Sequence, residues 1–316
     1  MKPILAIKDL TLGLTYKKVP LVENVSFTVE RGEVLGVLGE SGCGKTLTGF
    51  ALLRLFPPGV CYYSGEVWLD DLSLYSLDEK ELIKIRGKKI AIILQDPLSS
   101  LNPVLTIREQ LEEVFKVHQP EFSKKERQDK MISLLKEVGI PDPEIKLRSY
   151  PHQLSGGLRQ RVMIAIALAG EPEVLVADEP TTALDPTLQV QVLNLLKKLN
   201  KTRKLTIVFI SHDLGVVRWI ADRVAVFYAG EIVEISLVDR LFLNPLHPYT
   251  QALIDSYPKE GEFKVRLKGG VIELTQKPEG CYYRLRCDAP CKEGKIYHPP
   301  LIEVTSQHMV RCFRYG

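Results

Sequence analysis

The chain has 316 residues, which suits one large domain or one domain with an added lobe. Hydrophobic residues make up 45% and charged residues 26%, so a buried core and a solvated surface are both within reach. A net charge of +3 is too small to argue for a nucleic-acid binder, which concentrates basic residues on one face. No apolar run reaches the roughly 18 residues that cross a bilayer. The opening MKPILAIKDL carries one early lysine and no sustained apolar stretch behind it, so it does not read as a secretory signal, and a cytoplasmic location is expected.

In chain order, LAIKDLTLGL, ENVSFTVE and EVLGVLG alternate apolar and polar residues and predict strands. A glycine-rich turn and a helical run over about 45–55 follow, closed by Pro57-Pro58. KKIAIILQ predicts a buried strand. Residues from about 107 to 138 show helical spacing with mixed charge. EVLVAD, LTIVFIS and RVAVFYAG predict further strands, separated by helices near 158–170, 186–202 and 213–221. Strands alternating with helices imply a parallel α/β sheet, with a helical block at about 96–158 inserted into a domain spanning 1–235. Beyond Ile235 the pattern weakens and proline becomes frequent, so 236–316 is expected to form a C-terminal appendage.

Gly39-Glu40-Ser41-Gly42-Cys43-Gly44-Lys45-Thr46 fits G-x-x-x-x-G-K-[ST] and lies between a predicted strand and a predicted helix, the context that confirms the motif. Its glycines let backbone N–H groups curl round phosphate oxygens. Lys45 is expected to reach the β- and γ-phosphates and Thr46 to ligate Mg²⁺. Val174-Leu175-Val176-Ala177 leads into Asp178 and Glu179. Acids at the end of a parallel strand sit where open α/β sheets bind ligands, so Asp178 is expected in the Mg²⁺ shell and Glu179 as the base for water.

Between these motifs, Leu154-Ser155-Gly156-Gly157-Leu158-Arg159-Gln160-Arg161 resembles the signature of ABC-type ATPases. Gln95 at a strand end is similar to the family's Q-loop glutamine, Ala183-Leu184-Asp185 to its D-loop, and Ser211-His212-Asp213 to its switch histidine. Tyr16 resembles the aromatic that stacks on adenine; an edge-strand tyrosine is the other reading. Gln95-Asp96-Pro97-Leu98-Ser99-Ser100-Leu101-Asn102-Pro103 and Asn244-Pro245-Leu246-His247-Pro248-Tyr249-Thr250-Gln251-Ala252-Leu253 resemble, more narrowly, the oligopeptide/dipeptide/nickel importer ATPases.

The resemblance implies a P-loop NTPase (RecA-like) ABC ATPase core, with an inserted α-helical subdomain and a small cysteine-containing C-terminal lobe. It implies ATP bound by Tyr16, Gly39, Ser41, Gly42, Cys43, Gly44, Lys45, Thr46, Gln95, Asp178 and His212. Mg²⁺ would sit on Thr46, Gln95 and Asp178, and catalysis would fall to Glu179, His212 and Gln95. Ser155, Gly156, Gly157 and Gln160 would touch the ATP of a second subunit, with Asp185 in the D-loop. Implied partners are a paralogous ATPase in a heterodimer, two transmembrane permease subunits and an extracytoplasmic solute-binding protein, with no nucleic acid. The chain would work at the cytoplasmic face of the membrane, energising import of peptides, with nickel or oligosaccharide as alternative cargo. A soluble ABC ATPase acting on nucleic acid or ribosomes is the rival from another class.

Cys281, Cys287, Cys291 and Cys312 crowd the final stretch. In a reducing compartment such a cluster points to metal more than to disulfides. Some members of the importer family carry a similar set with an iron–sulfur cluster, so a [4Fe–4S] cluster is expected on these four, with Zn²⁺ as the alternative.

Overall fold

A computed structural model describes residues 2–182, 184–256 and 269–316. The chain divides into two compact units, one made of residues 1–75 with 209–316 and the other of 76–208.

The first unit opens with strands β1 (Leu5–Leu14), β2 (Pro20–Val29) and β3 (Val34–Leu38), then helix α1 (Lys45–Ala51) and strands β4 (Val60–Leu69) and β5 (Leu72–Ser73). β1 pairs antiparallel with both β2 and β4, giving a sheet of order β2-β1-β4-β5. Short turns join β1 to β2 and β4 to β5, a connection open only to antiparallel neighbours. β3 reads VLGVL and is buried along its whole length, as expected for a strand covered on both faces.

The second unit contains α2 (Glu79–Ile85), β6 (Ile90–Ile93), α3 (Pro97–Ser100), α4 (Ile107–His118), α5 (Lys124–Glu137), α6 (Pro143–Lys146), α7 (Gly156–Leu168), β7 (Val174–Asp178) and α8 (Pro186–Arg203). β6 and β7 run parallel, with Ile90 opposite Val174 and Ile93 opposite Ala177. Capping boxes start three of the helices: Asp78 with Glu81, Thr106 with Glu109, and Ser123 with Glu126. In each, the cap side chain accepts from the backbone three residues on while the acid accepts from the cap's own N–H, so two orphan donors are satisfied together. α7 buries Val162, Met163, Ile164, Ala165 and Leu168, most of its circumference.

Strand β8 (Thr206–Ser211) leads back into the first unit, which continues with α9 (Leu214–Ile220), β9 (Arg223–Tyr228), β10 (Glu231–Leu237), α10 (Val238–Leu243), α11 (Pro248–Asp255), β11 (Ile302–Thr305) and β12 (His308–Val310). β3 and β9 are parallel, Leu35 lying opposite Arg223. β9 turns into β10 through Ala229 (φ 48°) and Gly230 (φ 86°), two left-handed residues that suit a tight hairpin. β12 then pairs with β10, and β11 with β12. The C-terminal appendage therefore extends the β3-β9-β10 sheet with two further strands. Among the described residues no helix is long and apolar enough to cross a membrane.

Candidate functional site

In the first unit, the segment 39–44 bridges the end of β3 and the start of α1. Gly42 and Gly44 adopt φ of 80° and 103°, values that glycine reaches without a Cβ penalty. At Gly39 the constraint is space: a Cβ there would lie 2.4 Å from the carbonyl oxygen of Phe227 and 2.8 Å from the Cys43 sulfur. The loop is thus pressed against the end of β9, and the Gly230 N–H donates to the Cys43 carbonyl at 2.9 Å. Lys45 is only 4% exposed, and its Nζ donates to the carbonyls of Gly39 (2.8 Å) and Glu40 (2.9 Å). Ser41 and Thr46 are exposed, whereas burial holds Cys43 and raises its thiol pKa.

Two further elements of this unit carry expected site residues. Tyr16, between β1 and β2, is 71% exposed, an unusual placement for an aromatic ring and one open to a stacking ligand. His212, just after β8, is exposed as well. Its neighbour Asp213 caps α9, accepting from the N–H groups of Gly215 (2.8 Å) and Val216 (3.1 Å).

In the second unit, β7 delivers Asp178 and Glu179, which are 3% and 9% exposed. Glu179 takes φ of 45°, a left-handed conformation uncommon outside glycine and a sign of backbone held against its preference. Its carboxylate accepts from the Thr182 hydroxyl at 2.8 Å and from the Gln95 amide at 3.2 Å. Gln95 and Glu179 therefore meet, although 84 positions separate them. Asp185 caps α8, its carboxylate accepting from Thr187 and Leu188 N–H at 3.0 Å each. Ala183 lies outside the described residues.

α7 begins at Gly156 instead of near Leu158, with Ser155 as its cap accepting from the Leu158 N–H at 3.4 Å. Ser155 and Gly156 are exposed. Gln160 is not: it is 1% exposed, on the helix face it shares with the buried Gly157 and Ile164.

The C-terminal lobe supplies residues that the sequence did not single out for the nucleotide site. Arg286 pairs with Glu40 of the phosphate loop in fork geometry, Nη1 to Oε2 at 2.6 Å and Nη2 to Oε1 at 3.1 Å. The Glu40 N–H donates to the Tyr249 hydroxyl at 3.1 Å. His247 caps α11, its Nδ1 accepting from the Tyr249 N–H at 3.0 Å, and the buried carboxylate of Glu234 accepts from the N–H groups of Leu246 and His247. The Asn244–Leu253 segment is therefore a structural corner that aims Tyr249 at the phosphate loop.

The metal site expected in the C-terminal lobe is not borne out among the described residues. Among the described residues, no group of three or more His, Cys, Asp or Glu side chains is placed to hold a metal ion. Cys281, Cys287, Cys291 and Cys312 are free thiols. Burial pushes the Cys281 thiol up to about 11 and raises that of Cys312. The Cys291 sulfur accepts from the Gly294 N–H at 3.3 Å. Neither the iron–sulfur cluster nor the zinc alternative finds support in this arrangement.

Comparison with known proteins gives the arrangement its family. The ABC transporter family matches residues 22–182, and the C-terminal region of oligopeptide/dipeptide transporters matches residues 233–293. The oligopeptide transport ATP-binding protein OppD of Bacillus subtilis is 43% identical over 98% of this chain and 88% of its own length. The dipeptide transport ATP-binding protein DppD of Lactococcus lactis is 41% identical over 98% of this chain and 90% of its own length. Among solved structures, the dimeric post-hydrolysis state of the ATP-binding cassette MJ0796 bound to ADP and Pi is similar with a TM-score of 0.66 and 31% identity, covering 74% of this chain and 98% of that one. The chain belongs to the ABC transporter family, as an ATP-hydrolysing ATP-binding cassette.

Proposed function

We propose that this chain energises the import of oligopeptides or dipeptides through a separate membrane permease. The observation that carries the cargo class is the match of residues 233–293 to the oligopeptide/dipeptide transporter C-terminal region, a segment beyond the common cassette. The peptide transporters among its relatives support the same reading over nickel or oligosaccharide. The nucleotide-binding domain is taken as 1–235, with its helical subdomain at about 96–158, and 236–316 as the extension.

In this reading Lys45 neutralises the β- and γ-phosphates and Thr46 ligates Mg²⁺. Asp178 serves the Mg²⁺ shell, and Glu179 orients and deprotonates the attacking water. The bonds from Thr182 and Gln95 support that role, because they fix the carboxylate before substrate arrives. His212 holds the γ-phosphate and registers its loss, and Tyr16 stacks on adenine. Ser155 and Gly156, at the exposed start of α7, close on the ATP of a second subunit through free helix N–H groups. That subunit is a paralogous ATPase. Two permeases and an extracytoplasmic binding protein complete the assembly, which places the chain on the inner face of the membrane.

Peptide uptake into vesicles holding this chain with its permeases and paralogue tests the reading. Uptake is expected to require ATP and to be lost in Lys45→Ala through weakened ATP binding. Glu179→Gln is expected to bind ATP normally and to slow turnover by roughly 10²-fold or more. ATP turnover at the wild-type rate in Glu179→Gln refutes the base, and uptake of nickel or oligosaccharide but not peptide refutes the cargo.

A further inference from the structure

We propose that the C-terminal lobe is part of the nucleotide site, with Arg286 and Tyr249 acting as positioning residues that hold Glu40 and cancel its charge. The phosphate loop binds an anion through backbone N–H groups, and a carboxylate at its second position works against that task. Here the carboxylate of Glu40 is taken up by a guanidinium from 246 positions away. The Arg286 side chain is 4% exposed and that of Glu40 is 18% exposed, so water screens the pair weakly.

All three polar groups of Glu40 have partners. Its carboxylate accepts from Arg286, its N–H donates to the Tyr249 hydroxyl, and its carbonyl accepts from Lys45. Two of the three partners come from the lobe. They are themselves held firmly: the Arg286 guanidinium lies over the Tyr228 ring at 5.6 Å, and that ring packs on those of Tyr249 (4.7 Å) and Tyr283 (5.1 Å). The Arg286 N–H donates to the Tyr283 carbonyl at 3.0 Å. The forked contact needs arginine, because a lysine ammonium cannot meet both carboxylate oxygens in a plane. The lobe thus fixes the backbone direction of the loop at Glu40 and removes one negative charge from the path of ATP.

A contact that merely glues the lobe in place predicts the same direction of effect whichever partner is removed. The positioning role predicts opposite signs. Affinity for a Mg²⁺-bound non-hydrolysable ATP analogue is measured by calorimetry on the full chain, with thermal unfolding in parallel. Arg286→Ala is expected to weaken binding by about 10-fold, the loss of one charge balance at a weakly screened site. Glu40→Gln is expected to tighten binding by about 3-fold, because the guanidinium remains and the carboxylate is gone. The double variant is expected to return to within about 3-fold of wild type, a coupling that a double-mutant cycle measures directly. Arg286→Lys, which keeps the charge and loses the fork, is expected to fall between wild type and Arg286→Ala. Wild-type affinity in Arg286→Ala overturns the proposal. So does equal weakening in both single variants and the double. Should Arg286→Ala fail to fold, the sign of Glu40→Gln decides: weaker binding refutes the proposal.

Discussion

Acidification should loosen the C-terminal lobe through His247. This imidazole is 2% exposed, and its Nδ1 accepts the Tyr249 N–H, so the folded state needs it neutral. Burial, with the positive charges of Arg311 and Arg314 adding to it, lowers its pKa to about 3. The unfolded chain protonates it near 6.5. Below that value the unfolded state binds more protons than the folded state, so stability falls as pH drops from about 6.5 toward 3. At pH 5 the gap is 1.5 units, or about 2 kcal/mol at 1.36 kcal/mol per unit. His298 pulls the other way. Burial works against its protonation, but the Glu231 carboxylate at 2.6 Å outweighs burial and raises its pKa, so its contribution grows on acidification. Comparing wild type with His247→Asn cancels His298 and every other shared group. Asparagine also accepts as a helix cap but does not titrate. Thermal unfolding of both at pH 7.5, 6 and 5 should show the wild type losing about 2 kcal/mol more than the variant across that range. Because His247 holds the residue that holds Glu40, ATP affinity of the wild type should weaken over the same window. Parallel pH profiles for the two proteins would refute the reasoning.

Two substitutions in the phosphate loop should separate space from backbone conformation. Gly39→Ala puts a Cβ against the Phe227 carbonyl, which cannot retreat without moving β9, so nucleotide binding should be lost and thermal stability should fall by about 1–3 kcal/mol. Gly42→Ala meets nothing within 4 Å and bears only the left-handed strain of φ 80°, roughly 1–2 kcal/mol, so the fold should persist with weakened nucleotide binding. Wild-type affinity in Gly39→Ala would contradict the packing assigned to it. Asp185→Ala removes the cap of α8 and should cost about 1 kcal/mol in thermal unfolding, with Asp185→Asn nearly neutral.

What could be read from the sequence was local. The phosphate loop and the acids ending β7 are each written within a few consecutive residues, whereas the helical spacing over about 107–138 proves to be two helices, each started by its own capping box at Thr106 and Ser123. The start of α7 was misplaced by two residues because Gly156-Gly157 reads as a turn, although glycine is tolerated in a first turn capped by serine. β4 went unread because Gly65, at φ 107°, interrupts its alternation where β1 shifts register. β10 went unread for a different reason. It is buried over six of its seven positions with two glutamates among them, so neither alternation nor an apolar run marks it.

Those two glutamates explain why the appendage as a whole resisted reading. Glu231 and Glu234 are 3% and 0% exposed, on a strand where sequence patterning expects hydrocarbon. Glu234 accepts from the Leu246 and His247 N–H groups and faces His308 at 2.7 Å. Glu231 faces His298 at 2.6 Å and Arg311 at 3.3 Å. The partners of this pair of carboxylates come from beyond residue 240, so the appendage is docked by buried polar contacts as well as by its apolar residues. Such a network is stabilising only when each member is satisfied, and losing one partner leaves a charge stranded out of water. Hydrogen bonds of that kind are directional, which suits a lobe that holds Tyr249 and Arg286 against a phosphate loop. Hydrophobic periodicity records how much a segment buries but not which charge it meets, so the lobe's contact with Glu40 became visible only in three dimensions.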